Sequence, residues 1–234
     1  MTPDVLRARV AAAYDRLGLP SWPPPRAEGV EPRDEEYSRV SDLHKYRVVH
    51  GRARAWTEVL GALPGVVVER LGPVTTERHA FARGVRIVSP VPGTLPLVLL
   101  EQDAGPTEHG DAVDSLHVAV QDPDHTIDHG APDCGCDACD FGSADLLAGL
   151  DDDVLSIVGG PFVLLKGKGW RATWHPDGAS MDGGTWSGPD DDPRSSPDTD
   201  TVWKFCEELA AGREPGMPPS WTALVGRSWL DAAP

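Results

Sequence analysis

The chain has 234 residues, 40% of them hydrophobic, and its 37 Asp and Glu against 21 Lys and Arg set a formal net charge of −16. Residues 87–165 hold 15 acidic side chains and no Lys or Arg, a field that repels phosphate backbones and anionic lipid and so argues against nucleic-acid binding through that segment. No run of 18 apolar residues occurs, and Asp4, Arg7 and Arg9 interrupt the stretch a signal peptide needs, so no membrane span and a cytosolic location are expected, with four cysteines too few for a disulfide framework there.

Residues 3–18 have helical spacing and stop at Gly18, two residues before Pro20. SWPPPRAEGVEPRDE (21–35) reads as a stiff proline-rich connector. A longer helix is predicted over 36–62, its polar side carrying Arg39, Lys45, Arg47, Arg52 and Arg54. These can face the acidic middle segment, although solvated arginines are the commoner case. His44 and His50 on the same stretch look incidental.

The period then changes to that of strands. VVVER (66–70), HAFARGVRIVSP (79–90), LPLVLLEQD (95–103) and SLHVAVQD (115–122) are short, β-branched and bounded by Gly or Pro. In the last, His117 alternates against Leu116, Val118 and Val120 and is expected at a surface or edge. A helix over 143–158 opens with Ser143 as a candidate N-cap. PFVLLKG and GWRATWHP form a hairpin turning at Gly167-Lys168-Gly169, and residues 177–199 lack apolar periodicity and are expected as loop or disorder. A last helix, about 200–212, places Val202, Phe205, Cys206 and Leu209 on one stripe.

The fold expected is α+β: an antiparallel sheet of five to six strands with flanking helices and long loops rich in the 25 Gly and 23 Pro. Three parts are expected: an N-terminal helix and connector (1–35), a core with the Cys-rich loop (36–176), and a loop, helix and Trp-rich segment (177–234) packed on that core.

One chemical signal stands out. Cys134, Cys136 and Cys139 fall within six residues, with His125 and His129 just upstream. Thiolates are soft ligands, and a Cys-x-Cys-x2-Cys loop can set three sulfurs about 2.3 Å from one zinc ion. The expected metal ligands are Cys134, Cys136, Cys139 and His129, with His125 or Cys206 as alternatives for the fourth. Cys206, on its apolar stripe, reads first as core. A nucleobase-deaminase site fails, because no His begins an H-x-E and Asp133 separates Pro132 from Cys134. A redox pair of Cys136 and Cys139 is opposed by Asp137 and Asp140, which raise thiol pKa values. A hydrolytic zinc with Asp133 or Asp140 as base is opposed by the charge of three thiolates, which weakens the metal as a Lewis acid. A structural zinc in a binding or regulatory domain is therefore the leading reading, and a metal- or thiol-dependent enzyme using the same loop the alternative.

CGCDACD (134–140) resembles the central motif of an uncharacterised family of high-GC actinobacteria, with YSRV (37–40) upstream and GGPF (159–162) downstream extending the likeness. The resemblance implies a cytosolic protein and no particular reaction. Phe141 stands where an acid is usual, and Val163 and Leu164 follow Phe162 where a Glu is expected, so acids that did chemistry there would be missing from this chain.

Six of the eight tryptophans lie at or beyond position 170. Trp170 and Trp174 share one strand face and are the candidate ligand-binding pair, able to stack a sugar or cage a cation; burial against a helix is the commoner use of such a pair. The partner expected is a small molecule or a protein, with neither nucleic acid nor membrane. No phosphate-loop, serine-elbow or zincin motif occurs.

Overall fold

The computed structural model describes the chain apart from residues 28, 77–78, 108–109, 129, 184–196 and 232–234. The fold is α+β and wholly antiparallel. Its strands divide into two sheets of four and two of two, rather than one sheet of five or six. Two compact units result, Met1–Pro90 with Pro96–Val154, and Val91–Leu95 with Leu155–Pro234.

In the first unit α1 (Pro3–Asp15) starts from a Thr2 cap whose hydroxyl accepts from the Val5 N–H at 3.4 Å. It buries Leu6, Val10 and Ala13, at helical spacing, and packs on α2 (Val48–Gly61). The predicted helix over 36–62 is half realised. Its first part forms 3-10 turns at Asp34–Ser38 and Lys45–Arg47 instead, because the backbone between them bonds outward: Asp137 N–H donates to Arg39 C=O at 2.8 Å, and Ser41 N–H donates to Asp137 Oδ1 at 2.9 Å. Groups engaged in that way cannot close helical i to i−4 bonds.

α2 touches the sheet β1 (Val67–Leu71), β4 (Arg83–Val88), β5 (Leu97–Gln102) and β8 (Ser115–Val120), which runs in the order β1-β4-β5-β8. A short hairpin of β2 (Val74–Thr75) and β3 (Ala80–Phe81) supplies Phe81 and Val74 to a cluster with Val98, Leu100 and Ala119. Burial of both sheet faces explains the unbroken apolar run Leu97–Leu100, each residue at most 1% exposed. It also overturns the surface placement of His117. That residue is 3% exposed, its ring 5.1 Å from Phe81 and 4.7 Å from His79, because the hairpin covers the face that alternation assigned to solvent. A smaller hairpin joins β6 (Gly105–Thr107) to β7 (Gly110–Ala112).

The outer edge of β8 is covered by the loop that leads to the cysteines. Leu116 and Ala131 exchange backbone bonds of 3.0 and 2.8 Å, and Ile127 N–H donates to Val118 C=O at 2.9 Å. Gly130 has φ +99°, and a Cβ there would lie 2.6 Å from His117 Nε2, so a glycine is required for the close approach. A 3-10 turn at Asp137–Cys139 follows, then α3 (Ser143–Gly159), within which the two units divide. Asp151 on α3 locks onto α2: Arg52 Nε donates to Oδ1 at 2.8 Å, Arg52 Nη2 bonds Oδ2, and Trp56 Nε1 donates to Oδ1 at 2.8 Å. Arg52 is thus buried in an ion pair rather than solvated.

The second unit is built on the sheet β11-β10-β9-β12, comprising β9 (Phe162–Gly167), β10 (Trp170–His175), β11 (Gly178–Gly183) and β12 (Thr222–Gly226). β9 and β10 form the expected hairpin, Gly167 opposite Trp170. β11 corrects the loop expected over 177–199: its ladder to β10, Thr173 opposite Ser180, needs backbone pairing rather than an apolar period. The rest of that stretch as far as 196 lies outside the described residues. α4 (Thr199–Ala210), capped by Asp198 on the Thr201 N–H at 3.0 Å, contributes Val202 and Cys206 to a core with Val163, Leu165, Trp170 and Ala172. Residues 91–95 join this unit through Arg227 N–H to Gly93 C=O at 2.9 Å and Trp229 Nε1 to Leu95 C=O at 3.1 Å.

Candidate metal centre

The sulfurs of Cys134, Cys136 and Cys139 all lie within 4.8 Å of one another. Two local devices converge them. The Cys136 N–H donates to Cys134 Sγ at 3.4 Å, and Cys139 N–H donates to Cys136 C=O at 3.1 Å, closing the 3-10 turn. The Cys134 thiol donates to Cys136 Sγ at 3.2 Å. Cys136 is buried, while Cys134 and Cys139 face solvent and all three are free of disulfides.

The loop is held by residues far away in sequence. Arg26 reaches in with Nη1 to Asp137 C=O at 2.9 Å and Nη2 to Ala138 C=O at 2.5 Å. Asp137 takes Arg39 Nε at 2.5 Å and Ser41 Oγ at 2.6 Å, and Asp140 takes Lys45 Nζ at 2.6 Å and Trp22 Nε1 at 2.9 Å. Ser143, expected as a helix cap, bonds the Trp22 backbone instead: its Oγ accepts from Trp22 N–H at 3.1 Å. Gly142, at φ +92°, is the second position where only glycine fits, since a Cβ would sit 2.8 Å from Pro24 N. The Pro-rich connector and the 3-10 segment are therefore clamped to the cysteine loop, and two acids of the middle segment, Asp137 and Asp140, meet their cations here.

The same contacts set the electrostatics. Burial pushes the Asp137 carboxyl up, but hydrogen bonds from Ser41 and Arg39 outweigh it and hold it at about 2. Asp140 likewise stays below its ordinary value, burial being overcome by Lys45 and Trp22. Burial raises the Cys136 thiol, yet hydrogen bonds from Cys134 and Cys139 bring it below the usual thiol range, whereas burial and then Cys136 and Cys134 push Cys139 up to about 12. Above them Tyr46 is 2% exposed, and its hydroxyl has no hydrogen-bond partner among the described residues. Its pKa is raised, first by burial and then by Asp140, Asp137, Cys136 and Cys134, which places it within electrostatic reach of the thiols.

The remaining candidates are distributed as follows. His129 lies outside the described residues. His125 turns to Asp122, Nδ1 to Oδ1 at 2.6 Å, and stands apart from the clustered sulfurs. Cys206 is a core residue, fully buried, its thiol raised to about 12 by burial and then Glu207. Trp170 is 6% exposed and meets Trp221 edge-on at 4.8 Å, while Trp174 packs half-buried against the same core. One group has no signal in the sequence: His50, expected to be incidental, is 4% exposed and stands with Asp103 and Asp114 in a second cluster of potential ligand atoms within 4.8 Å. No spacing signal announces it, because its members come from separate elements.

The fold and site thus define an α+β protein with an anchored three-cysteine loop. The match of a family model described as a family of unknown function (DUF6226) covers residues 9–232, and the chain belongs to that family. No curated protein and no solved structure matches it. Among the described residues no helix is long and apolar enough to cross a membrane.

Proposed function

We propose that Cys134, Cys136 and Cys139 hold one structural zinc ion, with His129, five residues upstream, as the fourth ligand, and that the chain is a cytosolic binding or regulatory domain stabilised in this way. The observation that carries the reading is the division of labour around the loop. Arg26, Arg39 and Lys45 engage carbonyls and carboxylates, and the three sulfurs face one another. The donor set is soft, and the Tyr46 hydroxyl offers a donor that a thiolate can accept. Zinc bound there supplies folding free energy to a loop whose other supports are its polar clamp and the burial of a few small side chains such as Ala138.

A hydrolytic role is disfavoured because Asp140 already accepts from Lys45 and Trp22 and is a poor base. Thiol catalysis is the second reading, supported by the lowered Cys136 pKa and opposed by the burial of that sulfur. In unit two, Trp170 serves the core, and the part-exposed face of Trp174 is the surface left for a small-molecule or protein ligand. Elemental analysis of protein purified without added metal tests the proposal: one zinc per chain is expected, and near-zero metal with melting indifferent to chelator overturns it.

A further inference from the structure

A second cation site, independent of the thiol loop, is indicated by the way His50 is held. Its Nε2 lies 3.0 Å from the Ser115 carbonyl. A carbonyl only accepts, so Nε2 carries the proton, and in the neutral ring Nδ1 presents a lone pair. That nitrogen makes no hydrogen bond among the described residues; its nearest acidic atoms are Glu101 Oε2 at 3.9 Å and Asp103 Oδ1 at 4.0 Å. Both distances exceed a hydrogen bond, and an ion held by bonds of about 2.1 Å, which set cis separations of about 3–3.4 Å, would draw these groups together by roughly 0.5–1 Å. Asp114, 7% exposed, completes the group; one oxygen takes the Ala104 N–H at 2.9 Å, and Oδ2 faces the exposed His44 Nδ1 at 3.6 Å. A ring N–H fixed by a backbone carbonyl, with the other nitrogen turned to carboxylates, is the arrangement that orients a ligating histidine.

The charge around the group is mixed, with carboxylates in excess. Glu101, Asp103 and Asp114 are three carboxylates. Arg83 answers two of them, through Nε to Glu101 at 2.5 Å and through Nη1 and Nη2 to Asp103 at 2.9 and 2.7 Å, and Arg47 acts on Asp103 from further away. The guanidinium sits on the sheet side, at β4 and β5, and the imidazole on the α2 side retains acidic neighbours. We propose that His50, Asp103 and Asp114, with His44 and Glu101 at the margin, bind a divalent cation that favours mixed nitrogen and oxygen ligands, of the Mn²⁺ class. A set of three to five protein donors leaves coordination positions for water or an anionic ligand.

Mn²⁺ is the probe, because its preference for oxygen and nitrogen keeps it from the thiols. Titration of the full chain, read by loss of the free-ion electron paramagnetic resonance signal, is expected to reveal one Mn²⁺ per chain. Asp114→Asn and His50→Gln should each weaken it at least tenfold. In the unmodified protein, substoichiometric Mn²⁺ should broaden the His50 ring resonances before those of His125 and His175, a readout that needs no variant to fold. Absence of binding at millimolar Mn²⁺, binding unaffected by Asp114→Asn in a folded variant, or broadening of a histidine other than His44 and His50 first would each overturn the site. Neither outcome bears on the zinc loop, whose test is the metal content of the purified protein.

Discussion

The two ligand groups of the first unit are assembled in opposite ways. The thiol loop draws its donors from six consecutive residues and its anchors from Trp22, Arg26, Arg39, Ser41 and Lys45. The His50 group draws its donors from α2 and from residues that follow β5 and precede β8, and among its anchors Arg83 and the Ser115 carbonyl are contributed by strands. Three cysteines that close in sequence can meet a metal even in an unfolded chain. Donors more than fifty residues apart meet only in the native fold. Metal at the second group is therefore linked wholly to folding, whereas at the first the unfolded state competes and reduces the stabilisation.

The largest effect should come from breaking the thiol loop. Cys136→Ser, or chelation of the wild type, is expected to lower stability by several kcal/mol, since a structural metal site binds tightly enough to leave a large net stabilisation after weaker competition from the unfolded chain. Thermal melts with and without chelator check it, and a melt unchanged in both breaks the contrast between the groups. Next comes the anchor: Asp137→Asn loses the charge on the bonds to Arg39 and Ser41 and should weaken zinc binding about tenfold to a hundredfold, as loss of an orienting partner does. Competition with a chromophoric chelator measures it; an unchanged affinity would reduce the clamp to a packing feature.

Burial, and then Asp152, raise the Asp153 carboxyl on α3 to about 6 from an ordinary 3.8. A raised carboxyl costs nothing below pH 3.8, where both states are protonated, and its penalty grows as pH climbs to about 6 and is complete above. Asp153→Asn should therefore stabilise chelator-treated protein by about 1–2 kcal/mol at pH 7 and by nothing near pH 3.5, read from denaturant midpoints. A gain of equal size at both pH values would contradict the assignment.

Smaller still, Arg83→Ala should cost under about 1 kcal/mol, because the side chain is 48% exposed and its ion pairs are screened. It should tighten Mn²⁺ severalfold by removing a neighbouring cation; weaker Mn²⁺ binding would make Arg83 a support of the second group rather than a rival to the ion. The last expected effect is none. With Arg39, Lys45 and Arg52 already paired to Asp137, Asp140 and Asp151, and 37 acidic against 21 basic side chains in the chain, no DNA or RNA shift is expected at about 150 mM salt. A micromolar midpoint abolished by Arg47→Ala with Arg54→Ala would contradict it.

The four helices, the hairpin at Gly167–Gly169, the α+β class and the thiol group were legible in the order of residues, because each rests on contacts of short range: a 3.6 or 2.0 period, a glycine turn, three thiols within one turn of chain. What short range could not convey was decided by the fold. The start of α2 at Val48 depends on Asp137 claiming the backbone of residues 39–41, almost a hundred positions away. The burial of His117 depends on a two-residue hairpin crossing its face, and β11 on a partner strand for its backbone. The charge map illustrates the same limit. Composition showed an acidic middle third and a basic beginning, but only tertiary structure brought Arg39, Lys45 and Arg52 onto Asp137, Asp140 and Asp151 and turned His50 toward Asp103 and Asp114, since Coulomb and coordination energies depend on distance in space and not on separation along the chain.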